Sequence, residues 1–336
     1  MQETSYKLSK EELDEVYNKK IRPELSGRTR PLNGEQPLFV VLAGQPGAGK
    51  TNVSKMTGDE IKQSGNNFVL ADADNFRAYH PHYERAYKEQ GRDASKYTHE
   101  DVGIWNERLI KEAGANGYNI ITEGTLRNES HLEKLRQARA AGYKVVVKII
   151  AQSPIISGLN IHRRFEGQLA SGECARYVTK ETHDVAVSGM LETLPVLLKE
   201  KCFDKIEIYD RTYKNNKLIY SCTRDDPQAH IDKATDVVRT EQLKPLTQEE
   251  RTRHIADANK ILETMRERED LDPYNRDKIN KNSTPVKLEI NSLKQIVERG
   301  AERTLIETSQ NTLADQRLES EKQQARASKS RNNGRE

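Results

Sequence analysis

A glycine-rich segment that ends in lysine and threonine carries the clearest chemical signal in this sequence. It fits the pattern GxxxxGK[ST] and consists of Gly44, Gln45, Pro46, Gly47, Ala48, Gly49, Lys50 and Thr51. An apolar run precedes it and a helical pattern follows it, as a phosphate-binding loop requires. In such a loop phosphate oxygens accept hydrogen bonds from backbone N–H groups, the lysine neutralises the β- and γ-phosphates, and the threonine hydroxyl ligates Mg²⁺. The segment predicts a site for ATP and Mg²⁺; a turn that binds nothing is the alternative.

Two aspartates follow the second apolar run of the chain. Asp72 and Asp74 stand in the segment LADADNF. If the chain stays extended, residues two apart face the same side, so both carboxylates would point to one edge of the site. A carboxylate there can hold Mg²⁺ or accept a proton from an acceptor hydroxyl. We expect one of the pair to be catalytic; capping of the following turn is the alternative for either.

A carboxylate, a hydroxyl and an arginine come together where the third apolar run ends. These are Glu123, Thr125 and Arg127 in the segment TEGTLR. The carboxylate and the hydroxyl suit hydrogen bonds to a polar substrate, and the arginine suits a phosphate. A strand-to-helix turn with ordinary caps is the alternative.

Two arginines flank a segment that follows the fourth apolar run. Arg163 and Arg176 stand around RFEGQLASGECAR. In P-loop kinases, arginines from a mobile segment over the site stabilise the charge on the transferring phosphoryl group. A solvated arginine is the alternative, and Arg164 and Arg139 are equally basic neighbours.

Short apolar runs and helical patterns alternate through the first two thirds of the chain. The runs predict buried strands at 38–43, 68–71, 119–122, 145–150 and 206–209, and the patterns between them predict helices at 50–64, 98–115, 129–141 and 179–199. This alternation predicts an α/β fold, with a parallel sheet covered by helices on both faces. The loops after the strands then lie along one edge, where such sheets bind ligands. Residues 206–209 and 218–220 read as a hairpin at the sheet edge.

The composition changes near Lys244. Before it, residues 8–25 predict an N-terminal amphipathic helix, and 1–244 form one predicted domain. Residues 245–325 are rich in charge and predict a helical appendage of exposed helices, paired with one another or with a partner. Its thin apolar stripe consists of Ile261, Leu262, Met265, Leu293, Ile296 and Val297. The tail, 326–336, is expected to be disordered.

The composition of the whole chain argues against several classes of protein. The net charge is +3, with 55 basic and 52 acidic residues, so charge gives no reason to expect nucleic acid as a partner. No run approaches 18 apolar residues, and the N-terminus lacks the apolar core of a signal peptide. The three cysteines, an odd number without metal spacing, suggest reduced thiols. We therefore expect a cytoplasmic protein without a membrane partner.

Taken in order, these motifs resemble those of the zeta toxin family, P-loop kinases of bacterial toxin–antitoxin systems that phosphorylate UDP-N-acetylglucosamine. The resemblance covers about residues 8–235. GQPGAGKT looks like the family's P-loop, ADADNF like its strand-end carboxylate motif and EGTLR like its substrate motif. The segment IHRRFEGQLASGECARYVTKETHD looks like the arginine-bearing lid and the helix behind it, including the pair His183–Asp184. Position 126 is leucine where some relatives have glycine, and the long C-terminal region has no counterpart.

The resemblance implies a role for each candidate residue. Asp74 matches the general base that activates the sugar hydroxyl, and Arg163 and Arg176 match the two phosphate-binding arginines. The family's sugar-nucleotide contacts fall on Glu123, Thr125 and Arg127. The implied reaction is an ATP- and Mg²⁺-dependent phosphorylation of a UDP-amino sugar, and the implied partner is a proteinaceous antitoxin.

Two other functions remain open from the sequence. The first is a kinase of another small-molecule or nucleic-acid hydroxyl. The second is a nucleotide-dependent interaction protein that works through its C-terminal helices. If the chain is a kinase, removal of the residues after Lys244 is expected to leave its catalytic activity intact. If it is an interaction protein, the same removal is expected to abolish binding of its partner.

Overall fold

The computed structural model describes residues 6–172, 174–210, 216–271 and 283–299. The predicted tail at 326–336 and the whole of 300–325 lie outside the described residues. Within them, none of the helices combines the length and apolar content that crossing a bilayer requires.

Six strands form one mixed sheet at the centre of the fold. They are β1 Leu38–Ala43, β2 Val69–Ala71, β3 Ile120–Gly124, β4 Lys144–Ile150, β5 Lys205–Tyr209 and β6 Leu218–Thr223. Their order is β2-β3-β1-β4-β5-β6, in which β6 alone pairs antiparallel, with β5. The predicted parallel sheet with an antiparallel edge hairpin is therefore confirmed, and the ends of β1, β2 and β3 meet at one edge.

Helices cover both faces of the sheet and extend beyond it. They are α1 Lys10–Val16, α2 Lys50–Gln63, α3 Ala73–Phe76, α4 Tyr83–Gln90, α5 Ala94–Tyr97, α6 His99–Ala115, α7 Glu129–Ala140, α8 Pro154–Ala170, α9 Lys180–Glu200, α10 Gln228–Leu243, α11 Gln248–Leu271 and α12 Ser283–Arg299. The predicted N-terminal helix is irregular: after α1 the chain continues as a wider π-helical turn at Tyr17–Ile21 and a 3₁₀ turn at Arg22–Leu25.

The two faces of β1 belong to different cores. Val40 and Leu42 pack towards Val53 and Ile61 of α2. Phe39 and the other odd-numbered residues of the strand pack on the opposite face, in the core that contains Trp105 and Leu109 of α6. Burial on both faces is why these strands read as continuous apolar runs rather than as alternating ones.

A third apolar cluster joins the C-terminal helices to α8. The stripe that the sequence places on exposed helices is instead largely buried: Met265 of α11 and Val297 of α12 are fully enclosed. On the other side of this cluster lie Ile155, Leu159 and Phe165 of α8. The C-terminal helices therefore pack on one another and on the segment that follows β4.

Candidate functional site

The glycine-rich loop runs from the end of β1 to the start of α2 and needs glycine for its shape. Gly47 and Gly49 have φ values of +79° and +91°, which side chains rarely adopt. A Cβ atom on Gly47 would lie 2.1 Å from the carbonyl oxygen of Ser157 in α8. The loop therefore packs directly on the backbone of α8.

Side chains of α8 and α9 hold the glycine-rich loop in place through hydrogen bonds. The amide of Asn160 donates to the Gly47 carbonyl oxygen over 3.0 Å. The buried amide of Gln45 donates to the Gln152 carbonyl oxygen over 2.7 Å and to the Ser157 hydroxyl oxygen over 3.3 Å. That hydroxyl also lies 2.8 Å from Nε2 of His183 on α9. The loop is thus pre-organised by polar contacts of α8.

Lys50 opens α2 and lies among charges of both signs. Its ammonium donates to the Gly44 carbonyl oxygen over 3.0 Å. Burial lowers the pKa of Lys50; Glu123 opposes this shift and Arg164 reinforces it. A cation held in this way attracts the phosphates that would replace the carbonyl contacts.

The two aspartates after β2 have different surroundings. The chain leaves the extended form at once, because α3 begins at Ala73, so the argument from an extended chain does not apply here. Both carboxylates nevertheless lie near Arg176, whose charge acts on Asp72 as well as on Asp74. Asp72 caps this helix and accepts from the Asp74 N–H over 3.0 Å. The Asp74 carboxylate forms an ion pair with Arg176 and lies 3.8 Å from the guanidinium of Arg77. Asp74 is 39% exposed, so an incoming molecule can reach it.

Glu123 lies inside β3, one residue before the strand ends. Burial raises the pKa of Glu123, while the charge of Lys50 opposes this shift. Thr125 and Arg127 follow, around a buried Leu126 whose φ is +51°. A Cβ on Gly189 of α9 would lie 2.4 Å from the Arg127 carbonyl oxygen, so α9 supports this turn from below. All three predicted substrate residues thus come from the end of β3 and the turn that follows it, at the sheet edge.

The arginines after β4 divide between two surroundings. Arg163 lies on α8 with its guanidinium 3.7 Å from Asp257 of α11. Arg164 is exposed and lies near enough to the site for its charge to act on Glu123 and on Asp72. Burial lowers the pKa of Arg176, and Asp72 opposes that shift. The structure therefore brings Arg164 and Arg176 to the carboxylates, and Arg163 to the C-terminal helices.

Arg164 was missed as a candidate because the sequence shows two adjacent arginines and no sign of which one faces inward. Successive residues on a helix point about 100° apart, so a helix at this position turns only one of the pair to the site. The helical character of 154–170 is the signal that could have separated them.

A buried arginine ties the arginine-bearing segment to the residues before α5. Arg92 lies with its guanidinium 4.2 Å from the ring centre of Phe165 and 4.9 Å from that of Tyr177. It also donates to Glu166 over 3.0 Å. Arg92 therefore joins the residues that directly follow Arg164 to the residue that follows Arg176, through cation–π contacts and a buried ion pair.

The oxygen atoms near Lys50 suit a magnesium ion. Thr51 is exposed next to Lys50, and Asp72 lies close enough for its charge to act on that lysine. In the described part of the chain no three histidine, cysteine or acidic residues cluster as a metal site would need. Mg²⁺ in kinases takes few protein ligands and relies on phosphates and water, so the available hydroxyl and carboxylate fit it.

A family model and several known proteins match this chain. The zeta toxin family model matches residues 24–222. Toxin PezT of Streptococcus pneumoniae serotype 4 is 34% identical over 181 residues, which cover 53% of this chain and 70% of that protein. Toxin zeta of Enterococcus hirae is 30% identical over 179 residues, which cover 53% of this chain and 62% of that protein.

Two solved structures share the fold. One, from the PezAT chromosomal toxin–antitoxin system of Streptococcus pneumoniae, has a TM-score of 0.62 and 25% identity, and the match covers 78% of this chain and 98% of that chain. The other, AvrRxo1-ORF1:-ORF2 with ATP, has a TM-score of 0.51 and 12% identity, over 76% of this chain and 83% of that chain. The second likeness concerns the fold alone.

Proposed function

This chain belongs to the zeta toxin family, and on that premise we propose that it transfers the γ-phosphoryl group of ATP to a hydroxyl of UDP-N-acetylglucosamine or a related UDP-amino sugar. Family and fold identify a nucleotide-binding phosphotransferase of kinase type. The acceptor, the metal and the role of each residue belong to the proposal.

The observation that carries the proposal is the set of charges around Lys50. Two arginines, Arg164 and Arg176, and two carboxylates, Asp72 and Glu123, act on this lysine at the edge where β1, β2 and β3 end. Phosphoryl transfer needs positioning and electrostatic stabilisation more than covalent chemistry, and such a set supplies both.

Each side chain then has a defined task at the nucleotide. The loop amides and Lys50 hold the phosphates, and the Thr51 hydroxyl holds Mg²⁺, which neutralises phosphate charge when bound. Arg164 and Arg176 stabilise the charge that develops on the transferring group. We give Arg164 the task that the sequence motif gave to Arg163, because Arg163 pairs with Asp257 instead.

The acceptor side of the site is formed by residues after β2 and β3. Asp74 accepts the proton of the attacking hydroxyl, and its partial exposure leaves room for that hydroxyl. Glu123 and Thr125 position the sugar by hydrogen bonds, and Arg127 binds a phosphate of the sugar nucleotide. When the acceptor enters, Arg176 exchanges its pair with Asp74 for a phosphate oxygen, which frees the carboxylate.

The acceptor can be tested with the purified protein and a panel of sugar nucleotides. The panel contains UDP-N-acetylglucosamine, UDP-N-acetylgalactosamine, UDP-glucose and a short RNA with free hydroxyls, each with Mg·ATP. Mass spectrometry should show one added phosphate on the UDP-amino sugars and none in the Asp74→Ala protein. Transfer to RNA or to none of the acceptors would overturn the substrate assignment.

We also propose a proteinaceous antitoxin as the partner and the cytoplasm as the place of action, where ATP and UDP-sugars are available. A solved relative comes from a toxin–antitoxin system, which supports the first point. Expression of this chain alone should halt bacterial growth, and Asp74→Ala should remove the effect. If the wild-type chain is expressed in full and growth continues, the toxin role is wrong.

A further inference from the structure

The C-terminal helices lie outside the region that the family model matches, and they contact the catalytic segment through an apolar cluster. That region ends at residue 222, whereas α11 and α12 begin at Gln248 and Ser283. Together they bury one face of α8, the helix that carries Arg164. Leu293 of α12 packs on Gly158, where an added Cβ would lie 3.2 Å from its Cδ1 atom. This close approach brings the backbone of α12 near that of α8.

One carboxylate on α12 reaches both arginine-bearing segments. Glu289 lies with Oε1 3.2 Å from Nε2 of His162, and its other oxygen accepts from the Tyr177 hydroxyl over 3.4 Å. Both partners are buried, His162 to 1% exposure and Tyr177 to 8%. This carboxylate is costly to remove, because the buried Tyr177 hydroxyl would lose its acceptor and the buried His162 ring would lose its charged neighbour.

The two partners of Glu289 stand next to the arginines in the sequence. His162 precedes Arg164 by two residues on α8, and Tyr177 directly follows Arg176. After the end of α8 at Ala170, the chain returns to the site at Arg176, which pairs with Asp74. The contact therefore fixes the distance between the segments that carry the two arginines.

We propose that Glu289 is a positioning residue for phosphoryl transfer, which acts through His162 and Tyr177 on the placement of Arg164 and Arg176. This inference rests on the kinase function proposed above. On this inference, the C-terminal helices increase the rate of phosphoryl transfer in addition to stabilising the fold.

The test compares five full-length variants with the wild type, one of which, Glu289→Gln, keeps an acceptor in place of the carboxylate. Glu289→Ala removes the carboxylate, Tyr177→Phe removes one of its partners and leaves the ring beside Arg92, and the double variant combines them. Leu288→Ala is the matched control, since Leu288 is the neighbouring residue on α12 and is 66% exposed. Steady-state transfer rates are divided by the number of ATP-binding sites measured in each sample, so that unfolded protein does not count.

We expect kcat to fall about 10- to 100-fold in Glu289→Ala, as small displacements of charged groups do elsewhere, with KM for ATP within about two-fold. Tyr177→Phe should lower kcat less. The double variant should resemble Glu289→Ala, because both changes break one contact. Glu289→Gln, which keeps an acceptor for Tyr177, should restore part of the rate. Leu288→Ala should match the wild type.

Hydrogen exchange separates failure of this inference from failure of the proposed function. Amides of 160–178 should exchange faster in Glu289→Ala than in Leu288→Ala, while those of β1 and β4 stay protected. If the wild type transfers phosphate to no acceptor, the kinase proposal fails, and with it the catalytic role of Glu289. Equal kcat per ATP site in Glu289→Ala and Leu288→Ala, or unchanged exchange at 160–178, would overturn the inference alone.

Discussion

At the scale of single residues, the site depends on which of two neighbouring side chains faces the nucleotide. Arg163 and Arg164 are chemically identical, and the helix α8 turns one to Asp257 and the other to Glu123 and Asp72. The sequence allowed the prediction that arginines from this segment serve the site. It could not select between them, because the selection depends on the rotation of a helix set by its packing on α11 and α12.

Paired substitutions of these arginines test that reading. Arg164→Ala should lower kcat/KM by about 100- to 1,000-fold, the usual loss for a group that stabilises transition-state charge. Arg163→Ala should change it by less than about five-fold, because a partly exposed ion pair contributes little. Initial rates of transfer at equal protein concentration measure both. The reverse order of effects would restore Arg163 as the catalytic arginine.

His131, which follows the turn after β3, is expected to make the free energy of unfolding depend on pH. Burial, followed by Lys134 and Arg127, lowers the pKa of His131 to about 4. The pKa of His131 is lower in the folded protein than in the unfolded chain, so the unfolded chain binds a proton first as the pH falls. The contribution of His131 to stability is therefore fully present above about pH 6.5 and is lost as the pH falls towards 4. We expect this side chain to account for about 1 kcal/mol of the loss between pH 7 and pH 5, after allowance for partial solvent screening.

Urea unfolding at both pH values measures that contribution. The difference in unfolding free energy between pH 7 and pH 5 should be smaller in His131→Gln than in the wild type. An equal difference in the two proteins would show that another group is responsible.

At the scale of elements, the site forms because three parallel strands end together and two helices, α8 and α9, support the loops that follow. The strands and helices α2, α6, α7 and α9 were predictable, since each has a strong apolar pattern of the right period. For the region of α8 the sequence indicates an arginine-bearing lid and no separate helix. This helix begins at Pro154, directly after the turn from β4. Apolar residues on two of its faces pack on different neighbours, so it lacks the single polar face that is typical of a surface helix.

Two helical glycines offer a matched test of close packing at this scale. Gly189→Ala should destabilise the protein by about 1–3 kcal/mol, because its Cβ would meet the backbone of Arg127. Gly103→Ala in α6 has open space around the new methyl group and should stabilise by about 0.5–1 kcal/mol.

Chemical denaturation of both glycine variants, with transfer rates alongside, checks the prediction. The Gly189 variant should also lose affinity for the sugar nucleotide, because the turn with Thr125 and Arg127 would shift. Similar stabilities of the two variants would show that α9 can move away from the turn at little cost.

At the scale of the whole molecule, the C-terminal helices belong to the core around α8. The sequence indicated their helical character and their apolar stripe, and the boundary near Lys244 remains a prediction. Their docking could not be predicted, because α8 itself offered no recognisable surface to receive them. The expectation that a chain cut after Lys244 keeps its chemistry changes accordingly, since the cut would expose Ile155, Leu159 and Phe165.

Two shortened chains test the importance of this docking. A chain that ends at Lys244 should melt at least about 5 °C below the full chain, bind a hydrophobic dye and transfer phosphate slowly. A chain that ends at Arg299 keeps every described contact and should resemble the full chain in all three measurements. Equal melting temperatures and rates for the chain ending at Lys244 would show that the helices are dispensable.

The most direct test of the central claim is the single-turnover rate of phosphate transfer from Mg·ATP to UDP-N-acetylglucosamine in the wild type and in Asp74→Asn. We predict rapid formation of a phosphorylated sugar nucleotide by the wild type, and a rate at least about 100-fold lower in the variant with ATP affinity retained. Equal rates in the two proteins would contradict Asp74 as the base. Absence of product from a wild-type protein that binds ATP would contradict the assigned acceptor.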